Sequence, residues 1–131
     1  MSGPPLVLDT NVFSRKDFLS WLDSYHGKKR LPVVAFAEIC VKRLDSQDGM
    51  SRLKALLNRL NINIERMGSR IAEHGAAWGY RGEDFSDKAR DYLIGAHAHT
   101  APLVFVTENK KDFWFLDDRA VTPDECMRRF G

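Results

Sequence analysis

The sequence predicts an α/β domain built on a mainly parallel sheet, and three observations carry that reading. Two short apolar runs, Leu6-Val7-Leu8 and Leu103-Val104-Phe105-Val106, each stop at a polar block. Segments with apolar residues at helical spacing lie between them, and one stretch, Asn61-Ile62-Asn63-Ile64-Glu65, alternates polar with apolar. Continuous apolar runs of strand length suit strands buried on both faces. Strands that alternate with helices pair in parallel, because a crossover helix returns the chain to the same sheet edge.

Each element has a local reason. Pro4-Pro5 precedes the first strand, and Asp9-Thr10-Asn11 ends it. Residues 17–25 carry Phe18, Leu19, Leu22 and Tyr25 at helical period, and Gly27 closes them. Pro32-Val33-Val34 is either a short strand or the lead into a helix in which Phe36, Ile39, Cys40, Val41 and Leu44 form a broad apolar face. After Gly49, the residues Met50, Leu53, Leu56, Leu57 and Leu60 mark another helix. Residues 71–80 read as a helix interrupted by Gly75, with Gly79 and Gly82 bracketing a loop. Ser86 is placed to cap a helix running to about residue 99, with Asp87 favoured in its first turn. Residues 112–116 suit a short helical turn, and Arg119-Ala120-Val121 a last short strand.

Length and composition bound the function. A chain of 131 residues fits one domain. Its net charge of +2 excludes the plainest nucleic-acid binder, whose basic excess drives counterion release. The two cysteines have no metal or redox spacing and suit a reducing, cytoplasmic setting. No apolar run approaches bilayer length, and residues 1–5 are too short and Pro-rich for a cleavable leader. The charge is uneven, however: residues 28–60 sum to +5 and the remainder to −3. Such a segment is either a solvated helix face or a flank that holds a polyanion beside an acidic site.

In open parallel sheets, ligands bind beyond the carboxyl ends of the strands. Asp9 follows the first apolar strand, and Thr107, Asn109 and Asp112 follow the other. Asp91 sits among apolar neighbours in the preceding helix, and Glu38 in the apolar stretch from 33 to 41. An inward acid is costly unless paired or bound to a cation. Each acid also has a plain structural use. Asp9 and Asp112 can cap the segments they precede, Glu38 can pair with Lys42, and Asp91 with Lys88. Four acids directed at one edge point instead to a hard divalent cation, Mg²⁺ or Mn²⁺, which takes oxygen ligands and shares them with phosphate. Without metal, crowded acids should raise at least one carboxyl pKa.

These blocks carry a resemblance. Leu6-Val7-Leu8-Asp9-Thr10-Asn11-Val12-Phe13 resembles the opening strand of PIN-domain nucleases, and Ala37-Glu38-Ile39 their second acidic position. Asp91-Tyr92-Leu93-Ile94-Gly95-Ala96 resembles the helix with their third acid. Val106-Thr107-Glu108-Asn109-Lys110-Lys111-Asp112-Phe113 resembles the fourth block, and Val121-Thr122-Pro123-Asp124-Glu125 the end of small members. A lone small PIN domain, here residues 1–131, is most similar to the VapC toxins of prokaryotic toxin–antitoxin pairs. The resemblance implies a PIN-like fold, with a twisted, mainly parallel sheet of four to five strands flanked by helices. It also implies Mg²⁺- or Mn²⁺-dependent cleavage of RNA, a homodimer and a small cognate antitoxin.

By that resemblance Asp9 and Asp91 are the metal ligands, and Glu38 acts through water or orients the attacking water. Asp112 completes the acidic set, supported by Thr10, Asn11, Thr107 and Asn109. Lys28, Lys29, Arg30, Lys42, Arg43, Lys110 and Lys111 are the candidates for holding RNA. Two departures stand out: Asn109 replaces an Asp common in the fourth block, and Gly95 replaces the more usual Ala. The alternatives are an RNA-processing PIN nuclease without an antitoxin and a catalytically inactive PIN assembly module. A haloacid-dehalogenase-type phosphatase needs a second acid where Asn11 stands, and a receiver domain needs a paired acid cluster near the chain start. The four histidines form no metal-binding trio, and Trp21, Trp78 and Trp114 are as well explained by the core as by base stacking.

Overall fold

The computed structural model describes residues 3–131. The first two residues of the 1–5 segment, read above as too short for a leader, lie outside the described residues. Five strands form one parallel sheet: β1 (Leu6–Leu8), β2 (Lys29–Pro32), β3 (Ile62–Glu65), β4 (Val104–Val106) and β5 (Ala120–Val121), in the order β3-β2-β1-β4-β5. Among the described residues six α-helices accompany it: α1 (Lys16–Ser24), α2 (Val33–Arg43), α3 (Gly49–Arg59), α4 (Ser69–Gly82), α5 (Phe85–Gly95) and α6 (Pro123–Phe130). The expected α/β class and parallel sheet are therefore present, with five strands. None of the described helices is long and apolar enough to cross a membrane.

The two apolar runs are the centre of the sheet. All residues of β1 and β4 are buried, as continuous apolar strands covered on both faces must be. Edge strand β3 forms where the alternation predicts a strand, but its burial does not follow that alternation: Ile62 is buried, and Asn63 and Ile64 are both exposed. Phe18, Leu22, Leu31, Leu53, Ile94, Phe105, Phe113 and Leu116 complete the core.

One local reading is resolved and three change. Of the two readings of Pro32-Val33-Val34, the lead into a helix holds, and the strand lies before it at Lys29–Pro32, where Lys29 pairs with Leu6 and Ile62 and its buried Nζ donates to the Leu60 carbonyl at 2.9 Å. Gly79 does not open a loop but lies inside α4, where a Cβ would come within 2.3 Å of Phe85 Cδ1. Glycine here serves close helix packing rather than a turn. Helix α5 begins at Phe85, so Ser86 is not its cap, and non-helical dihedrals at Lys88 (φ −122°, ψ 19°) kink its start. The last turn before β5 is longer than expected, a 3₁₀ segment over Lys110–Arg119.

Helix α6 closes the chain with a reciprocal cap. The Glu125 amide donates to Thr122 Oγ1 at 3.1 Å, and the Thr122 amide donates to Glu125 Oε1 at 2.9 Å. Pro123 occupies the first turn, where no amide is needed. Replacing Thr122 with Ala should cost about 1 kcal/mol, measured as a lowered urea midpoint with an unchanged m-value.

Candidate functional site

The parallel pairing of Leu8 with Val106 brings the ends of the two central strands level. Asp9 and Thr107, the next residue on each strand, are buried side by side. Thr107 Oγ1 donates to Asp9 Oδ2 at 2.8 Å, and Asn11 Nδ2 lies 3.5 Å from the same oxygen and 3.4 Å from Thr107 Oγ1. Asn11 Oδ1 accepts the Glu108 backbone amide at 3.2 Å, and the Asn109 backbone amide donates to Thr107 Oγ1 at 3.1 Å. On its other side Asp9 Oδ1 accepts the Thr10 amide at 2.7 Å, capping the 3₁₀ turn Thr10–Ser14. Asp9 is thus both the cap of that turn and the innermost acid of a polar pit.

At the centre of the pit stands a residue that sequence reasoning missed. The Arg90 guanidinium donates from Nη2 to Asp9 Oδ1 and Glu38 Oε1, from Nε to Glu38 Oε2, and from Nη1 to Asp91 Oδ1, each at 2.8 Å. Nη2 also lies 3.2 Å from Thr10 Oγ1, whose hydroxyl donates to Glu38 Oε1. Side-chain exposure grades from 0% at Asp9 and 16% at Asp91 to 35% at Glu38 and 37% at Arg90. Three acids from three elements therefore converge on one cation at the carboxyl edge of the sheet.

This arrangement reverses one expectation. Crowded acids were to raise a carboxyl pKa, but Glu38 is held below its ordinary value, chiefly by the Arg90 hydrogen bond and less by Thr10, against the opposing effect of burial. For Arg90, burial disfavours the charge, but the bonds to Glu38, the field of Asp9 and the bonds to Asp91 and Asp9 outweigh it, raising its pKa. The simple pairings are also replaced: Glu38 and Asp91 share Arg90 instead of pairing with Lys42 and Lys88.

The remaining sequence candidates divide. Asp112 does not touch the Arg90 cluster; it lies 3.6 Å from Lys88 Nζ in a cavity of about 150 Å³ with Asp84, Tyr92, Lys111 and Trp114. Neither Asp112 nor Asn109 has its side chain bonded to the acids, and Asn109 joins the network by its amide alone. Lys42 and Arg43 line a cavity of about 220 Å³ beside Thr10 and Asn11. Lys110 is paired with Glu125 at 3.0 Å. Lys28, Lys29 and Arg30 are not brought to the site. Lys28 precedes β2, and Lys29 and Arg30 open it, pairing with Leu6 and Val7 toward the end of the sheet away from Asp9. Lys29 is buried, and Arg30 faces Glu65 at 3.5 Å.

Of the tryptophans Trp114 is the exposed one, at 51%, whereas Trp78 packs on Phe115 and Trp21 on Phe18 and Tyr25. His97 is buried against Glu65, with 2.6 Å between Nδ1 and Oε1, away from the acids. A cavity of about 650 Å³ along residues 79–87 is lined by none of the clustered carboxylates. Its size does not make it the chemical centre.

Carboxylates suit a hard divalent cation. Among the described residues no three Asp, Glu, His or Cys groups are closed into a set that could hold a metal; Asp9, Glu38 and Asp91 close on the Arg90 guanidinium instead. The oxygen donors are chemically suited to a hard cation, but in this arrangement they are spaced around the guanidinium and would have to close in for an ion to replace it.

No protein-family model matches the sequence, and no curated protein does. Solved structures do share the fold. A chain of a toxin–antitoxin complex from Klebsiella pneumoniae is 24% identical, with a TM-score of 0.71 over 90% of this chain and 97% of that one. A chain of VapBC-1 from nontypeable Haemophilus influenzae is 18% identical, with a TM-score of 0.70 over 92% and 98%. A chain of VapBC2 from Rickettsia felis, bound to a DNA fragment from its promoter, is 20% identical, with a TM-score of 0.64 over 90% and 96%. At these identities the likeness is one of fold, and it spans nearly the whole of each chain.

Two outcomes follow from the geometry. Thr107→Val keeps the shape but removes a donor from the buried Asp9 carboxylate, which should cost about 1–3 kcal/mol in urea unfolding. Because the folded Glu38 pKa is lowered, its stabilising contribution is present above its unfolded pKa and fades as pH falls through the folded value. Glu38→Gln should therefore flatten the acid limb of the stability profile, and an unchanged limb would remove Glu38 from this role.

Proposed function

We propose that this protein is a Mg²⁺- or Mn²⁺-dependent endoribonuclease of the PIN type, acting as the toxin of a toxin–antitoxin pair. The observation that carries the reading is the convergence of Asp9, Glu38 and Asp91 beyond the carboxyl ends of β1 and β4. The shared fold with chains of toxin–antitoxin complexes supports it.

In this mechanism Asp9 and Asp91 would hold the ion, with Glu38 beside them. The ion supplies an acidified water and offsets charge on the phosphate oxygens. The chain's residues do the positioning. Thr107 and Asn11 fix the Asp9 carboxylate from one side, and the Thr10 amide fixes it from the other. Glu38, exposed enough to meet solvent and held by Thr10, orients a water toward the scissile phosphorus. Lys42 and Arg43, in the neighbouring cavity, and Lys111, beside Asp112, offer cations to the RNA backbone. In this reading Asp112 shapes the approach through Lys88 rather than binding the ion. The likeness to chains of toxin–antitoxin complexes also supports an antitoxin as partner, and the homodimer is carried by the sequence resemblance alone.

A second reading, a catalytically silent PIN assembly module, is favoured by one observation: Arg90 already fills the space among the acids. Cleavage decides between them. Pure protein incubated with total RNA should cut it when Mg²⁺ or Mn²⁺ is added and stop with EDTA. Asp9→Asn and Asp91→Asn should each lower that activity at least a hundredfold while keeping the fold by circular dichroism. Full activity in either variant removes that residue from the chemistry. Growth arrest on expression alone, relieved by a co-purifying small protein, separates a toxin from an RNA-processing nuclease.

A further inference from the structure

We propose that Arg90 is the site's resident counter-cation. It holds the three carboxylates together in the metal-free protein, and a divalent ion binds only by displacing it, so Arg90 weakens the metal affinity of the site. This rests on the reading above in one respect, that the cation these carboxylates take is Mg²⁺ or Mn²⁺.

The argument is one of occupied oxygens and charge. Asp9 Oδ1, both oxygens of Glu38 and Asp91 Oδ1 all accept from Arg90 at 2.8 Å. These are the inward oxygens, since Asp9 Oδ2 is turned toward Thr107 and Asn11. An ion placed among them would compete with the guanidinium for the same oxygens. It would also stand within a few ångströms of a guanidinium whose charge is secure, and two cations at that distance in a partly buried pit repel strongly. Metal and guanidinium are therefore exchanged rather than added.

The exchange is mechanically open. The Arg90 side chain is 37% exposed, and it enters from α5 just after the kink at Lys88. A long side chain at a pit's mouth can move into water without disturbing the core. In its place the three acids alone would repel, so the site needs Arg90 when the metal is absent or an ion when Arg90 is displaced.

A purely structural role gives the opposite sign. If Arg90 arranges the ligands for the metal, removing it loosens them and weakens binding. If Arg90 competes, removing it tightens binding and destabilises the empty protein. Mn²⁺ titration by calorimetry on wild type, Arg90→Met, Arg90→Lys and Asp9→Asn, with thermal unfolding in EDTA and in Mn²⁺, separates the two.

Arg90→Met should bind Mn²⁺ at least tenfold more tightly than wild type. It should also have a lower Tm in EDTA and a larger rise in Tm on adding Mn²⁺. Arg90→Lys, with one compact ammonium in place of the three-way fork, should bind at least threefold more tightly. If Arg90→Met folds only with Mn²⁺ present, that supports the exchange, and Arg90→Lys supplies the affinity. Unchanged or weaker Mn²⁺ binding in the Arg90 variants overturns it. Equal binding by wild type and Arg90→Met that Asp9→Asn abolishes sinks the exchange but leaves the nuclease reading standing. No Mn²⁺ binding by any of the four proteins removes both.

Discussion

A carboxylate with no exposed surface at the end of the central strand is the constraint on which the rest of the site depends. Asp9 is buried because β1 is flanked on both sides, by β2 and β4, and ends inside the molecule. A buried charge is tolerated only with donors on all sides and a cation nearby. Thr107, Asn11, the Thr10 amide and Arg90 are those partners, and they come from the neighbouring strand, the following turn and α5. The register of Leu8 with Val106 is therefore a chemical requirement as well as a packing one. A slip of one residue would turn Thr107 away and leave Asp9 short of a donor.

The same requirement explains why the overall charge is uninformative. Several of the acids are paired locally and give the surface little net field. Arg15 Nη2 alone meets Asp17 and Asp124 at 2.8 Å, with Glu108 at 3.4 Å from Nη1. These rim pairs are exposed and contribute little to stability. They do join α1, α6 and the loop after β4 around the mouth of the site. The basic excess of residues 28–60 is divided in turn between a buried strand lysine, an ion-paired arginine and solvent-facing helices.

Much of this was legible in the sequence because the strongest signals are local. The two apolar strands, the helix of residues 17–25 and the strand at 62–65 follow from side-chain period alone. So does the placement of Asp9 and Thr107 at one edge, once the sheet is parallel. Arg90 was not legible, because a search for chemistry among carboxylates passes over the base beside one of them. The missing signal was energetic: Asp9, Glu38 and Asp91 all needed a cation, and Arg90 adjoins one of them in the chain. Lys29 misled for the opposite reason, as a charge that reads as surface but is carried into the interior with its Nζ bonded to a carbonyl. Gly79 read as a loop because glycine permits both a turn and a tight helix contact, and only the neighbouring Phe85 decides which.

The site is also drawn from distant parts of the chain. Thr107 and Asp9 are separated by 98 positions, with Glu38 and Arg90 between them. Contacts of such separation form late, since the intervening loop must close before they repay its entropy. On a ribosome, the first ninety residues or so can form helices and pair β2 with β1 and β3, but the central strand keeps one open side until β4 emerges. Only then does Asp9 gain Thr107 as a donor. A growing chain thus carries an incomplete acidic pit through most of its synthesis, and the finished pit appears in the last quarter. The order of elements along the chain makes the site complete only after all but the segments that follow β4 have been made.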